Sequence, residues 1–252
     1  MSWWYNLGSS YHQFYFVTAI IVGILAFYVA SLIFQRYIQR RTPIAALLTG
    51  FLILLAISVI LDPIFLYQRA IGLEDRVPLQ SIISLGLTGY ANILLVFFLK
   101  DVFFNNKSHW IIYPICILEA LIMPIALWLF QNGGDTLPIL ALHLLFSFGI
   151  YLTQFIKSLS LQNRLKKEHP EDIVGRMGFK YIGLSGLGLF LTYVSFILQE
   201  ASGLAPEFYQ KYGLIQEGAT IFIPLGFILS GISGICLYIG FLLPDWIKKR
   251  WQ

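Results

Sequence analysis

Apolar residues run almost uninterrupted through seven stretches of the chain: Gln13–Phe34, Pro43–Phe65, Leu79–Leu99, Trp110–Phe130, Pro138–Leu159, Phe179–Gln199 and Gly218–Leu243. Each run is about 20 residues long, enough at about 1.5 Å per residue to cross a hydrocarbon layer of about 30 Å. Lipid offers the backbone no hydrogen-bonding partner, so each run is expected to be a helix that satisfies its own peptide groups. The pattern predicts an all-α polytopic membrane protein, a single domain of seven transmembrane helices spanning residues 1–252.

The few polar residues inside these runs recur at steps of three and four, which places them on single helix faces. The sixth run carries Tyr181, Ser185, Gly188, Thr192, Ser195 and Gln199, the fifth His143, Ser147, Tyr151, Gln154 and Ser158, and the third Ser81, Ser84, Thr88 and Asn92. In the last run, Gly226, Ser230 and Gly234 stand four apart and read as a small-residue seam for a neighbouring helix. A lone hydroxyl in a membrane helix usually bonds its own backbone or a neighbour, at about 0.6 kcal/mol. Three stripes in one chain must converge, and a hydrated or ligand-holding interior is the simplest place for them to meet.

Composition agrees with the pattern, since 58% of the residues are hydrophobic and only 12% charged, too apolar for a soluble domain. Charge then gives orientation. With the N-terminus outside, Arg36, Arg40, Arg41, Lys100, Lys107, Lys157, Arg164, Lys166, Lys167, Arg176, Lys180, Lys248, Lys249 and Arg250 all fall on the cytoplasmic side. Only Arg69, Arg76 and Lys211 lie opposite. This strong positive-inside bias predicts an outer N-terminus, a cytoplasmic C-terminus and a cell or plasma membrane location. The net charge of +4 accordingly reflects topology and attraction to anionic headgroups, and implies no nucleic-acid partner. The opening MSWWYNLGSSYHQ has no basic region of the signal-peptide kind, so the first run is expected to be a retained span. Cys116 and Cys236 lie within runs and suggest no disulfide framework.

Ionisable residues inside the runs are the candidate chemistry. Glu119 stands at the centre of the fourth run, WIIYPICILEALIMPIALWLF. A central acid costs about 3 kcal/mol on the insertion scale, which the run's Leu, Ile and Phe residues offset with about 3 to 7 kcal/mol. Helix 4 therefore inserts, with Glu119 expected to face the bundle interior in neutral form. His143 lies just inside helix 5. Asp62 lies near the outer end of helix 2, where Asp62–Pro63 also reads as an end-of-helix signal. Glu200 and Glu217 flank the last outer segment and read as solvated helix-end charges. A cavity open to the exterior and floored near Glu119 would gather these groups. The expected ligand-binding set is Glu119, His143, Ser84, Thr88, Asn92, Ser147, Thr192 and Asp62.

No catalytic residue, metal site or cofactor is expected. The chain's histidines are His12, His109, His143 and His169, and the topology separates His109 and His169 from the other two, against a zinc site of gathered ligands. The last run has no Lys for a retinal Schiff base, and no nucleophile elbow, phosphate loop or HExxH motif occurs.

A seven-helix, N-out domain with a basic inner face, ending in LPDWIKKRW, resembles the membrane sensor modules that precede histidine kinases. Topology, the converging polar stripes and the patterned outer half lead to the expectation of a receptor or sensor that binds a small molecule or lipid in an outward-facing pocket between helices 3, 5, 6 and 7. With no kinase domain after Gln252, the resemblance implies a separate cytoplasmic effector docking on residues 161–179 and the C-terminal tail, where Trp246 and Trp251 flanking the cations also suit an interfacial anchor. The alternatives are a transporter or proton-coupled channel relaying protons through Glu119 and His143, and an intramembrane lipid-modifying enzyme.

Overall fold

The computed structural model describes residues 10–71, 77–104, 109–204, 206–211, 214–216, 219–244, 247 and 249. Seven helices long and apolar enough to cross a membrane are present. They are α1 (Ser10–Arg40), α2 (Pro43–Ala70), α3 (Val77–Phe103), α4 (His109–Gln131), α5 (Leu137–Glu168), α6 (Ile173–Leu204) and α8 (Phe222–Leu242). Between α6 and α8 come a short helix α7 (Pro206–Lys211) and a minimal antiparallel pairing of β1 (Ile215–Gln216) with β2 (Ala219–Thr220). The end of the bundle where α1, α3, α5 and α8 begin is here called upper, the opposite end lower.

Helices that follow one another in sequence pack side by side, and α8 returns against both α6 and α1 to close the ring. The weak joint is α4, which rests on α3 and touches α5 lightly. Only 17% of its span is buried, against 50% of the α3 span. The outward faces are apolar: Ile21, Ile24, Tyr28, Ile117, Trp128, Leu145, Ile156 and Ile232 are each between 52% and 66% exposed. Aqueous solvent would make such a surface aggregate, whereas lipid tails suit it.

The interior divides along its length. In the lower half Val29, Ile33, Leu48, Phe51, Leu95, Phe98 and Leu237 pack into a solid core. The upper half is held by a small cluster of Ala19, Val22, Val59 and Phe227.

Chain turns have local causes. Gly133, at φ +68°, lets α4 close with the Gly134 amide donating to the Leu129 carbonyl at 2.8 Å. Asp172 accepts from the Gly175 amide at 2.8 Å and starts α6 after a four-residue turn, His169–Asp172. As predicted, α5 runs to Glu168 and breaks before Pro170, whose ring disfavours the helical conformation at the residue preceding it.

Two expectations need correction. Asp62–Pro63 does not end α2, which continues through Pro63 to Ala70. Proline only withholds its N–H from the carbonyl four residues back, and the following turns resume normal bonding. The small-residue seam of α8 is also set differently. Close approach to α6 occurs at Gly226, Ser233 and Gly240, spaced by seven, while a Cβ at Gly234 would meet nothing within 4 Å. Seven residues bring a helix back to the same face, so these three hold one side of α8 against α6.

The tightest point is Gly240, where a Cβ would stand 2.8 Å from the Gly178 carbonyl oxygen and from the Ile182 amide nitrogen. Backbone atoms cannot rotate away, so Gly240→Ala is expected to destabilise by about 1–3 kcal/mol through overpacking. Gly234→Ala, with open space, is expected to be neutral or stabilising by up to about 1 kcal/mol through helix propensity. Thermal melting of both variants in lipid nanodiscs checks the opposite signs.

Candidate functional site

The upper half encloses a cavity of about 390 Å³ bordered by all seven spans. Its polar wall begins on α2 and α3. Ser58 Oγ lies 2.7 Å from Ser84 Oγ and 3.0 Å from Thr88 Oγ1, and Ser84 Oγ reaches Asp62 Oδ1 at 3.5 Å. Opposite stands an aromatic wall. Tyr15 stacks on Phe227 with ring centroids 5.3 Å apart, Phe227 meets Phe196 at 5.8 Å, Phe196 meets Tyr193 at 6.0 Å, and Tyr193 meets Tyr151 at 5.2 Å. Thr192 also borders the cavity and donates to the Gly226 carbonyl at 3.1 Å, tying α6 to α8. The cavity reaches the upper rim at Thr136 and Gln199, and the outer surface beside Phe130, which is itself exposed. Gln199 is further bound by the Thr220 hydroxyl, so β2 is pinned to the top of α6.

His143 forms part of the cavity floor, and beneath it lies a closed polar network. His143 Nδ1 is 2.8 Å from Glu119 Oε2, and both side chains are fully buried. Asn92 Nδ2 donates to Glu119 Oε1 at 3.2 Å and to Ser147 Oγ at 2.8 Å, while the Tyr151 hydroxyl donates to Asn92 Oδ1 at 2.7 Å. His143 Nε2 has the Ser147 and Tyr193 hydroxyls each at 3.5 Å. Gly89 makes the α3–α4 approach feasible here, because a Cβ at that position would stand 3.0 Å from the Glu119 carboxylate.

This geometry revises the account of Glu119 as an isolated neutral carboxyl. Carboxylate with imidazolium, or carboxyl with imidazole, has no net charge, so the pair is tolerable as a unit in a dry interior. It joins α4 to α5, and Asn92 adds α3.

Of the expected ligand-binding residues, the structure places Asp62, Ser84, Thr88, His143 and Thr192 on the cavity wall. Glu119, Asn92 and Ser147 do not border it; they are buried one layer beneath His143. The side chains of Ser81 and Glu200, and Glu217, lie outside the described residues. The cavity is wider than a space between helices 3, 5, 6 and 7, since α1, α2 and α4 also border it through Tyr15, Ser58 and Phe130. The aromatic wall was not foreseen. Tyr15, Phe196 and Phe227 sit in apolar runs where nothing in the periodicity separates an inward ring from a lipid-facing one.

Glu119, His143 and Ser147 stand in the order of a hydrolase triad, acid to Nδ1 and hydroxyl near Nε2. Ser147 is fully buried and off the cavity wall, so no substrate carbonyl can reach its Oγ. Among the described residues no group of three or more His, Cys, Asp or Glu side chains is arranged to hold a metal ion.

Comparison with protein-family models, curated proteins and solved structures finds no match to this chain.

Glu119→Leu and His143→Leu each leave a buried polar group without its partner, and each is expected to lower stability by about 3–5 kcal/mol. The double variant removes both and is expected to cost about 2 kcal/mol less than the sum of the two singles. A double-mutant cycle of melting in lipid nanodiscs measures this coupling, and additive effects would show that the two side chains do not act as a pair.

Proposed function

We propose that the chain is a seven-helix membrane receptor or sensor that binds a small molecule or lipid in the upper-half cavity. The observation that carries this reading is the cavity itself, about 390 Å³ with one polar wall, one aromatic wall and a route to the surface. Its size and mixed lining suit a small-molecule site. The distribution of Lys and Arg supports an orientation in which this half faces outward, with the basic lower end in the cytoplasm.

Signalling requires an element whose position a ligand can bias. Helix α4 fits that role, because it is the least embedded span, contacts α5 lightly and is joined to the cavity floor through Glu119. The lower ends of α5 and α6, with the turn between them, carry Arg164, Lys166, Lys167 and Arg176 beside Glu168, Glu171 and Asp172, and offer a cytoplasmic partner a mixed-charge surface over residues 161–179. The likeness to sensor modules that precede histidine kinases remains one of topology.

A second reading, a proton-coupled channel or transporter, is favoured by one observation. Below the network Gln154 Oε1, Ser158 Oγ and Ser185 Oγ are buried without hydrogen-bond partners, as they would be along a hydrated track toward the lower end. Proton flux into proteoliposomes separates the two. The receptor reading expects no flux above that of protein-free liposomes, and flux lost in Glu119→Gln would establish the relay instead.

The receptor reading is tested by thermal stabilisation of the protein in nanodiscs across a panel of lipids and metabolites. Leu85 borders the cavity without bearing a polar contact. Leu85→Trp is expected to fill the space and abolish any stabilisation the wild type shows. Stabilisation that survives this change would place binding elsewhere.

A further inference from the structure

We infer that the cavity takes an organic cation, an amine whose ammonium pairs with Asp62 and whose apolar body lies along the aromatic wall. This rests on the cavity being a ligand site and adds the class of ligand.

The first ground is the charge pattern of the wall. Among the described residues, Glu119 and Asp62 are the carboxylic acids at the floor and wall of the cavity, and Glu119 has a built-in counter-group, being paired with His143 beneath the floor. Asp62 borders the cavity directly, and among the described residues it forms no ion pair. Its neighbours are hydroxyls, the Tyr15 phenol and the Ser84 Oγ at 3.5 Å. Neither hydroxyl brings a positive charge to Asp62, so a cationic ligand would supply the counter-group that these neighbours lack.

The second ground is independent of Asp62. The rings of Tyr15, Phe227, Phe196, Tyr193 and Tyr151 follow one another at centroid separations of 5.2 to 6.0 Å and form a continuous surface beginning at the residue beside Asp62. Aromatic faces carry negative potential and attract cations within about 6 Å of the ring centroid, most strongly where water is excluded. The rings that line the cavity add the apolar contact that a body larger than a bare ion requires, and any face turned toward the cavity would favour a cation as Asp62 does.

Rival occupants differ in what they leave unmet. A carboxylate or phosphate ligand would meet Asp62 without a free cation in the wall to balance it. A neutral lipid would fit the apolar volume and gain nothing from Asp62. A sodium ion could use Asp62 with the Ser58, Ser84 and Thr88 hydroxyls, but would leave the aromatic surface and most of the cavity without a role.

The test uses three ligands with one rigid apolar body: adamantylmethylamine, adamantylmethanol and adamantane carboxylate. Each is titrated against the full chain in lipid nanodiscs, with unfolding followed by intrinsic tryptophan fluorescence and sodium chloride titrated separately. The amine is expected to bind about tenfold or more tightly than the alcohol, the margin of a single charge-assisted contact, with the carboxylate weakest. Asp62→Asn is expected to erase that margin, and Asp62→Glu to retain most of it. Phe227→Leu, which keeps the charge, is expected to weaken the amine more than the alcohol. An amine that binds no better than the alcohol, a preference unaltered in Asp62→Asn, or Asp62-dependent stabilisation by sodium without any by the amine would each overturn the inference. In those cases the cavity stays a ligand site so long as Leu85→Trp blocks whichever compound binds. If none of the three binds, the inference fails, while the receptor reading stands or falls on the lipid and metabolite panel with Leu85→Trp.

Discussion

An ionisable group buried in an apolar bundle is costly without a counterpart, and the Glu119–His143 contact supplies one on which the arrangement of three helices depends. Helix α4 has Glu119 as its single Asp, Glu, Lys or Arg, and it presents most of its length to the surroundings. Apolar packing cannot hold such a helix strongly, because lipid tails satisfy Leu and Ile as well as another helix does. What fixes α4 in rotation and height is the 2.8 Å contact to α5 and the Asn92 bond from α3. Once these three helices are set, His143 faces upward and the floor of the cavity exists. Gly89 belongs to the same device, since a side chain there would push α3 away from the carboxylate.

The division of the interior into a solid lower half and a hollow upper half follows from where bulk and polarity fall. Below the network, Ile33, Leu48, Phe51, Leu95 and Phe98 are large, apolar and fully buried, so the helices close around them. Above it the inward positions of α2 and α3 are Ser58, Ser84 and Thr88, whose short side chains bond one another across the α2–α3 contact rather than filling space. Opposite them the rings stack edgewise and flat on their neighbours, which makes a stiff wall. A void between a short-chain wall and a stiff wall cannot collapse by rotamer adjustment alone. The same chemistry therefore shapes the chamber and keeps it open.

The fold was legible because an apolar run long enough to cross a bilayer is expected to be a helix; six of the runs lie wholly within helices, while the seventh, Gly218–Leu243, is helical only over Phe222–Leu242, its Ala219–Thr220 forming β2 instead. Helix ends were less so. Asp62–Pro63 carries the same local signal whether a helix stops there or bends through, and α2 continues to Ala70. The convergence of three polar stripes was legible from spacing, and Asn92, His143, Ser147, Tyr151, Thr192 and Ser195 are all buried. Depth along a stripe was not. Periodicity gives the angle of a residue around its helix, whereas the height at which neighbouring helices meet decides whether it borders the cavity, like Thr88, or lies beneath it, like Asn92. Aromatic residues were the least readable, since a ring facing lipid and a ring facing a ligand look alike in the sequence.

The network also limits how the cavity can report its state. A ligand moves a helix only if it binds one arrangement better than another, so the contact that matters is one shared between the cavity and an element free to shift. His143 and Tyr193 are such groups: both border the cavity, and Tyr193 OH and Ser147 Oγ are equidistant from His143 Nε2 at 3.5 Å. At that distance neither hydroxyl holds the imidazole firmly, so the ring has slack on its cavity side and a tight bond on its Glu119 side. An occupant that draws Tyr193 toward itself, or offers Nε2 a better partner, changes the bond that anchors α4 without touching α4. Because α4 has little else to hold it, a disturbance worth one hydrogen bond is a large share of what fixes its position. A span buried like α3 would absorb the same disturbance in its packing. The thinness of the α4 contact, a weakness in a structural protein, is what would let a small binding energy become a helix displacement under the proposed receptor reading.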